Sequence, residues 1–338
     1  MANKCTIEHA IGETRAAILY KNKPVEYHLR RWSDEGLPRA GDIFAGRVTK
    51  VDKQLMAAFV DLGAGEPGLL RFAMTPNAPR LTEGQMILVR IVRDAEAHKG
   101  PLVEFTAKSE VDKPGPQKTG TLDEFIAARF PGISIEEGPV DGIDYVTDTE
   151  VALKNGGFIY IEHTRAGTMI DIDTAGGQKT KVSIAAAKEI ASQLRLRGIG
   201  GLIVIDFPNF RKKKDRADVW QTLQDCLNND PNITKIAPFS RFDTVEMTRS
   251  KSGLTIGQIM LDASGEPSVE TLALRGLRRL EKEARVDGGA RLVLQLPQKA
   301  YDWLQSGVIL WEQPLAERIG ARFKLVSGDK LDVFKDEK

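Results

Sequence analysis

The sequence predicts a chain of mixed class, with a small all-β barrel, then an α/β unit, then a short α+β unit. Three observations carry this reading. Five short β-rich segments crowd between Gly41 and Lys108, apolar runs alternate with helical periodicity from about 157 to 237, and helix and strand patterns mix again after Pro267. At 338 residues the chain has room for about two to three domains of ordinary size.

Residues 5–32 alternate apolar and polar around the turn-like Lys21-Asn22-Lys23-Pro24, so 1–38 is expected to be an N-terminal β-hairpin. The segments 42–51, 54–62, 67–72, 86–94 and 102–107, parted by turns such as Gly63-Ala64-Gly65-Glu66-Pro67, suggest a barrel of the oligonucleotide-binding (OB) type over 39–108. The polar Ser109 to Gly120 reads as a linker within 109–156, with a short helix at 121–130. An α/β unit follows over 157–250. Its expected parts are strands at 157–163, 168–173 and 201–206, a helix opening at Ser183 and closed by Gly198, a helix at 213–228 and a strand at 233–237. Residues 251–267 read as a second linker, and 268–338 as the α+β unit, with a helix at 268–285 and strands at 290–296, 321–326 and 331–334.

Forty-eight basic residues face 47 acidic ones, so global charge names no partner, and any nucleic-acid surface must come from local clusters. Cys5 and Cys226 stand far apart in no CxxC context, which argues against a disulfide framework or a thiolate zinc site. With no apolar run long enough for a signal or a membrane span, the expectation is a cytoplasmic chain without membrane partners.

The candidate chemistry lies where two apolar runs end in acids, Thr168-Met169-Ile170-Asp171-Ile172-Asp173 and Gly201 to Asp206. Residues two apart on a strand share a face, so Asp171 and Asp173 can point the same way and join Asp206 around a hard divalent cation, with Asn209 close behind. Aspartates at strand ends also cap turns, which is the ordinary alternative. In the barrel region Phe44, Phe59 and Phe72 lie among Arg47, Lys50, Arg71 and Arg90, a composition that serves base stacking and phosphate contact as well as a plain core. The run Arg211-Lys212-Lys213-Lys214-Asp215-Arg216 either neutralises phosphates or is a solvated helix start. Arg241, in Ser240-Arg241-Phe242, either stabilises charge on a reacting phosphoryl group or forms a structural ion pair. His163 is expected to be a hydrogen-bonded structural histidine.

These segments resemble the ribonuclease E/G family of bacterial endoribonucleases. The resemblance is carried, in the family's order, by Gly41 to Val48, Ala57 to Gly63, Met169 to Asp173, Gln193 to Arg197 with Gly200 to Phe207, and Ser240-Arg241-Phe242 with Glu246 to Arg249. It implies an α/β catalytic domain like deoxyribonuclease I, with Asp171 and Asp206 as Mg²⁺ ligands, Mn²⁺ as a substitute, and Asp173 where the family carries asparagine. Arg241 falls on the family's active-site arginine, and Phe59 and Lys99 on barrel positions that hold single-stranded RNA, while Leu69 replaces a second aromatic. Residues 109–157 are too few for the family's ribonuclease-H-like region with its 5′-monophosphate sensor, so 1–38 and 109–156 read as its remnants. The cysteines of the family's zinc link are missing after Arg249, so no zinc and no zinc-linked tetramer is expected, whereas 268–338 would support a homodimer.

The expected function is therefore a Mg²⁺-dependent endoribonuclease that acts in RNA processing or decay on single-stranded RNA without reading a 5′-monophosphate. Its catalytic set is Asp171, Asp206, Arg241 and Asp173. Asp171, Asp206 and Asp173 hold the metal with Asn209 behind them, and Phe59, Lys99, Phe44, Arg47, Arg211, Lys212 and Lys213 contact RNA. The alternative is a non-catalytic RNA-binding or ribosome-associated protein that keeps the fold.

Overall fold

Lys21 and Asn22 both adopt left-handed backbone, φ 50° and 60°, the conformation that a two-residue hairpin turn requires. The computed structural model describes residues 4–74, 80–96, 99–251 and 253–336. The predicted hairpin is larger than expected. β1 (Lys4–Ala10), β2 (Glu13–Tyr20) and β3 (Lys23–Arg31) form an antiparallel meander.

β4 (Ile43–Asp52), β5 (Ala57–Asp61), β6 (Gly68–Arg71), β7 (Met86–Arg93) and β8 (Leu102–Lys108) follow the five predicted segments closely. They pair in the order β5-β6-β8-β7-β4, and β4 returns to β5, closing a five-stranded barrel as expected. Val48, Val60, Leu70, Ile87, Val89 and Val103 fill it. Gly46 lets strands approach at the seam, because a Cβ there would meet Val60 Cγ1 at 2.4 Å.

The expected linker Ser109 to Gly120 contains a strand, and the helix expected at 121–130 is present. β9 (Gly115–Lys118) pairs with β4, and β10 (Ser134–Glu137) runs parallel to β1. β11 (Glu150–Ala152) pairs with β12 (Phe158–His163). Between β9 and β10 lies α1 (Leu122–Arg129), started by a Thr121/Glu124 capping box and packed through Leu122 and Ile126 on Cys5, Ile7 and Ile18. The three strands are edge strands with few or no buried residues, so they show no apolar alternation to read.

The central sheet adds β13 (Thr168–Asp173), β14 (Gly201–Asp206), β15 (Thr234–Ile236) and β16 (Thr244–Arg249), in the order β11-β12-β13-β14-β16-β15. β13 and β14 are parallel, joined by α2 (Lys179–Leu196), and α3 (Lys213–Leu227) follows β14. Both helices cover one face, with Ala186, Ile190, Leu194, Val219 and Leu223 packed on Ile170, Ile172, Ile203, Ile205 and Val245. α2 starts one turn before Ser183, which is fully buried inside the helix rather than capping it.

The second expected linker, 251–267, contains α4 (Ile256–Met260), capped by Thr255 and Gln258 and packed on Tyr27 and Leu29. The last unit holds α5 (Val269–Val286), β17 (Leu292–Pro297), α6 (Gln298–Gln305), α7 (Glu312–Ile319), β18 (Phe323–Gly328) and β19 (Asp332–Lys335). The sequence reading missed the two eight-residue helices α6 and α7. Ile11 of the first turn enters this unit's core, and Arg31 pairs with Glu270 at 2.8 Å, which fixes the unit on the N-terminal sheet. No helix among the described residues is long and apolar enough to cross a membrane.

Candidate active site at the carboxyl end of the central strands

Asp171 and Asp206 end the parallel pairing of β13 and β14 as direct Cα partners, and both are exposed on the face that the helices leave open. Adjacent strands lie about 4.8 Å apart, so two carboxylates in this register face solvent side by side. The place is one where open α/β sheets bind ligands, outside the carboxyl ends of parallel strands. Neither acid forms an ion pair among the described residues. Partial burial raises the Asp206 carboxyl above its ordinary value, and the neighbouring charges of Asp171 and Asp243 raise it further.

Asp243 is the acid that sequence reasoning missed. It precedes Thr244, the Cα partner of Asp206 on β16, and its left-handed φ of 62° brings it beside the pair. Only its place just after Ser240-Arg241-Phe242 marked it in the sequence. Asp173 takes up the ordinary alternative with one of its oxygens. Its Oδ1 accepts a hydrogen bond from Ala175 N at 2.8 Å, so one oxygen is committed to the turn that leads to α2. Among the described residues no group of three His, Cys, Asp or Glu side chains is placed to hold a metal ion.

Arg241 lies on the turn that enters β16, exposed and without a hydrogen bond or ion pair among the described residues, so it is not a structural ion pair. Its turn is firmly held. Ser240 Oγ accepts from Phe242 N at 3.1 Å and contacts Thr244 Oγ1 at 2.7 Å. Arg216 of α3 donates to Ser240 O, pairs with Asp243 at 3.4 Å and stacks over Phe239 at 4.9 Å. Phe239 in turn packs edge-on against Phe207, the residue after Asp206, at 5.2 Å. Arg216, counted by sequence only as one more cation, is thus the tie between helix and turn. Arg211, Lys212 and Lys213 leave β14 at this same end and are exposed, as is Asn209.

The barrel residues lie on a separate surface. Phe59 is half-exposed on the outside of β5, opposite Leu69, with Lys50 Nζ 5.9 Å from its ring. Arg47 is exposed and donates to Asp112 O at 2.9 Å, and Lys99 is exposed. Phe44 contradicts its expected role, because it is 0% exposed in the barrel core and no base can reach it. The barrel meets the central sheet at the end opposite the acids, where Lys251, just past β16, pairs with Glu96 at 2.5 Å. His163 contacts Thr168 Oγ1 at 3.0 Å, the structural role expected of it.

Comparison with known proteins supplies an independent line. A family model described as "Ribonuclease E/G family" matches residues 130–252, which contain the acids, Arg241 and both helices of the site. Ribonuclease G of Haemophilus influenzae is 35% identical over 133 residues, 37% of this chain and 27% of the relative. Ribonuclease G of Escherichia coli (strain K12) is 31% identical over 183 residues, 51% of this chain and 36% of the relative. Ribonuclease E of the same strain is 36% identical over 157 residues, 42% of this chain and 15% of the relative. The chain thus spans little more than a third of the length of these relatives, or less.

Proposed function

The chain belongs to the ribonuclease E/G family, and from that premise we propose that it is a Mg²⁺-dependent endoribonuclease that hydrolyses phosphodiester bonds in single-stranded RNA. The observation that carries the proposal is the in-register pair Asp171 and Asp206, solvent-facing and without a cationic partner among the described residues. Crowded carboxylates at a strand end fit a divalent cation, since magnesium needs only one or two of them beside water and phosphate oxygens. Bound there, Mg²⁺ would polarise a phosphoryl oxygen and favour hydroxide as the attacking group.

This chain's own residues do the rest. Asp171 and Asp206 hold the cation, and Arg241 supplies positive charge to the phosphoryl oxygens as negative charge builds on them. Arg216 keeps Arg241 and its turn in place, and Arg211, Lys212 and Lys213 receive flanking phosphates. Phe59, Lys99 and Arg47 on the barrel contact the strand further along. Cleavage is independent of a 5′-monophosphate in this reading. Its support is that residues 109–157 are already used by β9, α1, β10 and β11.

The test is cleavage of an end-labelled A/U-rich single strand. Magnesium should support cutting, EDTA should stop it, and 5′-hydroxyl and 5′-monophosphate substrates should be cut at equal rates. RNA binding without any magnesium-dependent product would overturn the proposal in favour of a binding protein.

A further inference from the structure

The central sheet is covered on one face only, and the open face carries two aromatic rings that no core explains. On β12 the buried Ile159 and Ile161 point toward the helices, whereas Phe158 and Tyr160 point the other way and are half-exposed. Neither ring belongs to a hydrophobic cluster of the central unit. Their centroids lie 6.5 Å apart with the planes tilted by 37°. Phe158 is the Cα partner of Asp173, and Tyr160 that of Asp171, so the rings flank the acids one strand away.

We propose that Phe158 and Tyr160 are a stacking platform for nucleobases of a single-stranded RNA whose phosphate chain passes on the Arg241 side of Asp171 and Asp206. The inference rests on the nuclease reading and adds to it the direction in which the strand crosses the sheet. Charge decides that direction. Arg241, Lys212 and Lys213 stand on the β14 and β16 side of the acids, while aromatics stand on the β12 side. The phosphate chain lies toward the cations, and the bases fall over the rings, where the nearby carboxylates repel phosphate but not a neutral base. Both rings are presented rather than collapsed. The Tyr160 phenol is held above its ordinary value by desolvation, then by Glu150 and the charges of Asp173 and Asp171. Two aromatics on a strand at alternate positions suit stacking of any base, because every base has a π-face.

The experiment measures binding in EDTA by the full chain, with a short single-stranded RNA carrying 2-aminopurine and with an abasic ribose-phosphate oligomer of the same length. The double variant F158L/Y160L should lose about tenfold or more in affinity for the RNA and nothing for the abasic oligomer. Tyr160→Phe, which keeps the ring, should bind like the parent. Stacking should quench 2-aminopurine in the parent, and Phe158→Leu alone should reduce that quenching, a readout that survives if the double variant does not fold. Unchanged RNA affinity in F158L/Y160L, equal losses on both oligomers, or no quenching by the parent would overturn the platform. A parent dimer that becomes monomeric in the double variant with RNA affinity intact would also overturn it, making the face a self-association surface. A parent that quenches in EDTA yet never cleaves with magnesium refutes the nuclease reading and leaves the platform standing.

Discussion

Phe44 and Phe59 stand in paired strands of one barrel, yet one is sealed in the core and the other looks outward. Composition alone placed both among cations and offered both as contacts for RNA. Alternation failed to separate them because Phe44, Ala45 and Gly46 are buried in succession, where β4 pairs on both sides and its outer face is also covered. The consequence is measurable. Phe44→Ala should cost about 3–5 kcal/mol of stability in denaturant unfolding. Phe59→Ala should cost less than about 1 kcal/mol but weaken RNA binding about tenfold by fluorescence anisotropy. Equal stability losses would contradict the assignment of faces. Asp171 and Asp206 were legible because each ends an apolar run. Asp243 was not, since a left-handed turn and pairing between distant strands bring it to Asp206. Asp173 was legible both as an acid and, in the ordinary alternative, as the acceptor of a turn, the role that one of its oxygens takes.

At the scale of elements, Glu26 of β3 ties three segments together. It is 4% exposed, with Arg129 of α1 at 3.1 Å, Arg195 of α2 at 3.4 Å and His28 at 3.0 Å. Burial alone would raise its carboxyl, but the close approach and charge of His28, with Arg129 and Arg195, outweigh it and hold the group down from 4.5 to about 2. A carboxylate depressed in the folded state stabilises fully above its unfolded value, and that contribution is lost as pH falls from about 4.5 toward 2. Glu26→Gln should therefore destabilise the protein by about 3–5 kcal/mol at neutral pH, leaving half-buried cations without their buried partner. It should also flatten the loss of stability across that acid window in pH-dependent thermal melts. An unchanged acid slope would show that the cluster does not carry this linkage. No spacing rule reveals such a cluster, because its members are up to 169 positions apart. The barrel strands and long helices, by contrast, were legible from their own periodicity.

The whole molecule was legible as an order of parts, and less so as a set of boundaries. Barrel, α/β sheet and α+β unit follow one another as read, but both expected linkers are folded into sheets or helices. Edge strands such as β9 and β10, with at most one half-buried apolar residue each, look like linkers until their partners are known. The units are then locked by buried charge as well as by shared core residues such as Ile11. Arg278 of α5 pairs with Glu13 and, at 3.0 Å, with Asp144, which Arg15 also meets at 2.8 Å. In this assembly the acids, the cations and the two open rings share one end of one sheet, and cleavage there is the claim on which the account rests. The most direct measurement compares the parent with Asp206→Asn on labelled single-stranded RNA in magnesium. The account predicts a loss of cleavage of about 100-fold or more, since a direct metal ligand matters at least as much as the groups behind it, with RNA affinity retained. Full cleavage by Asp206→Asn would contradict it.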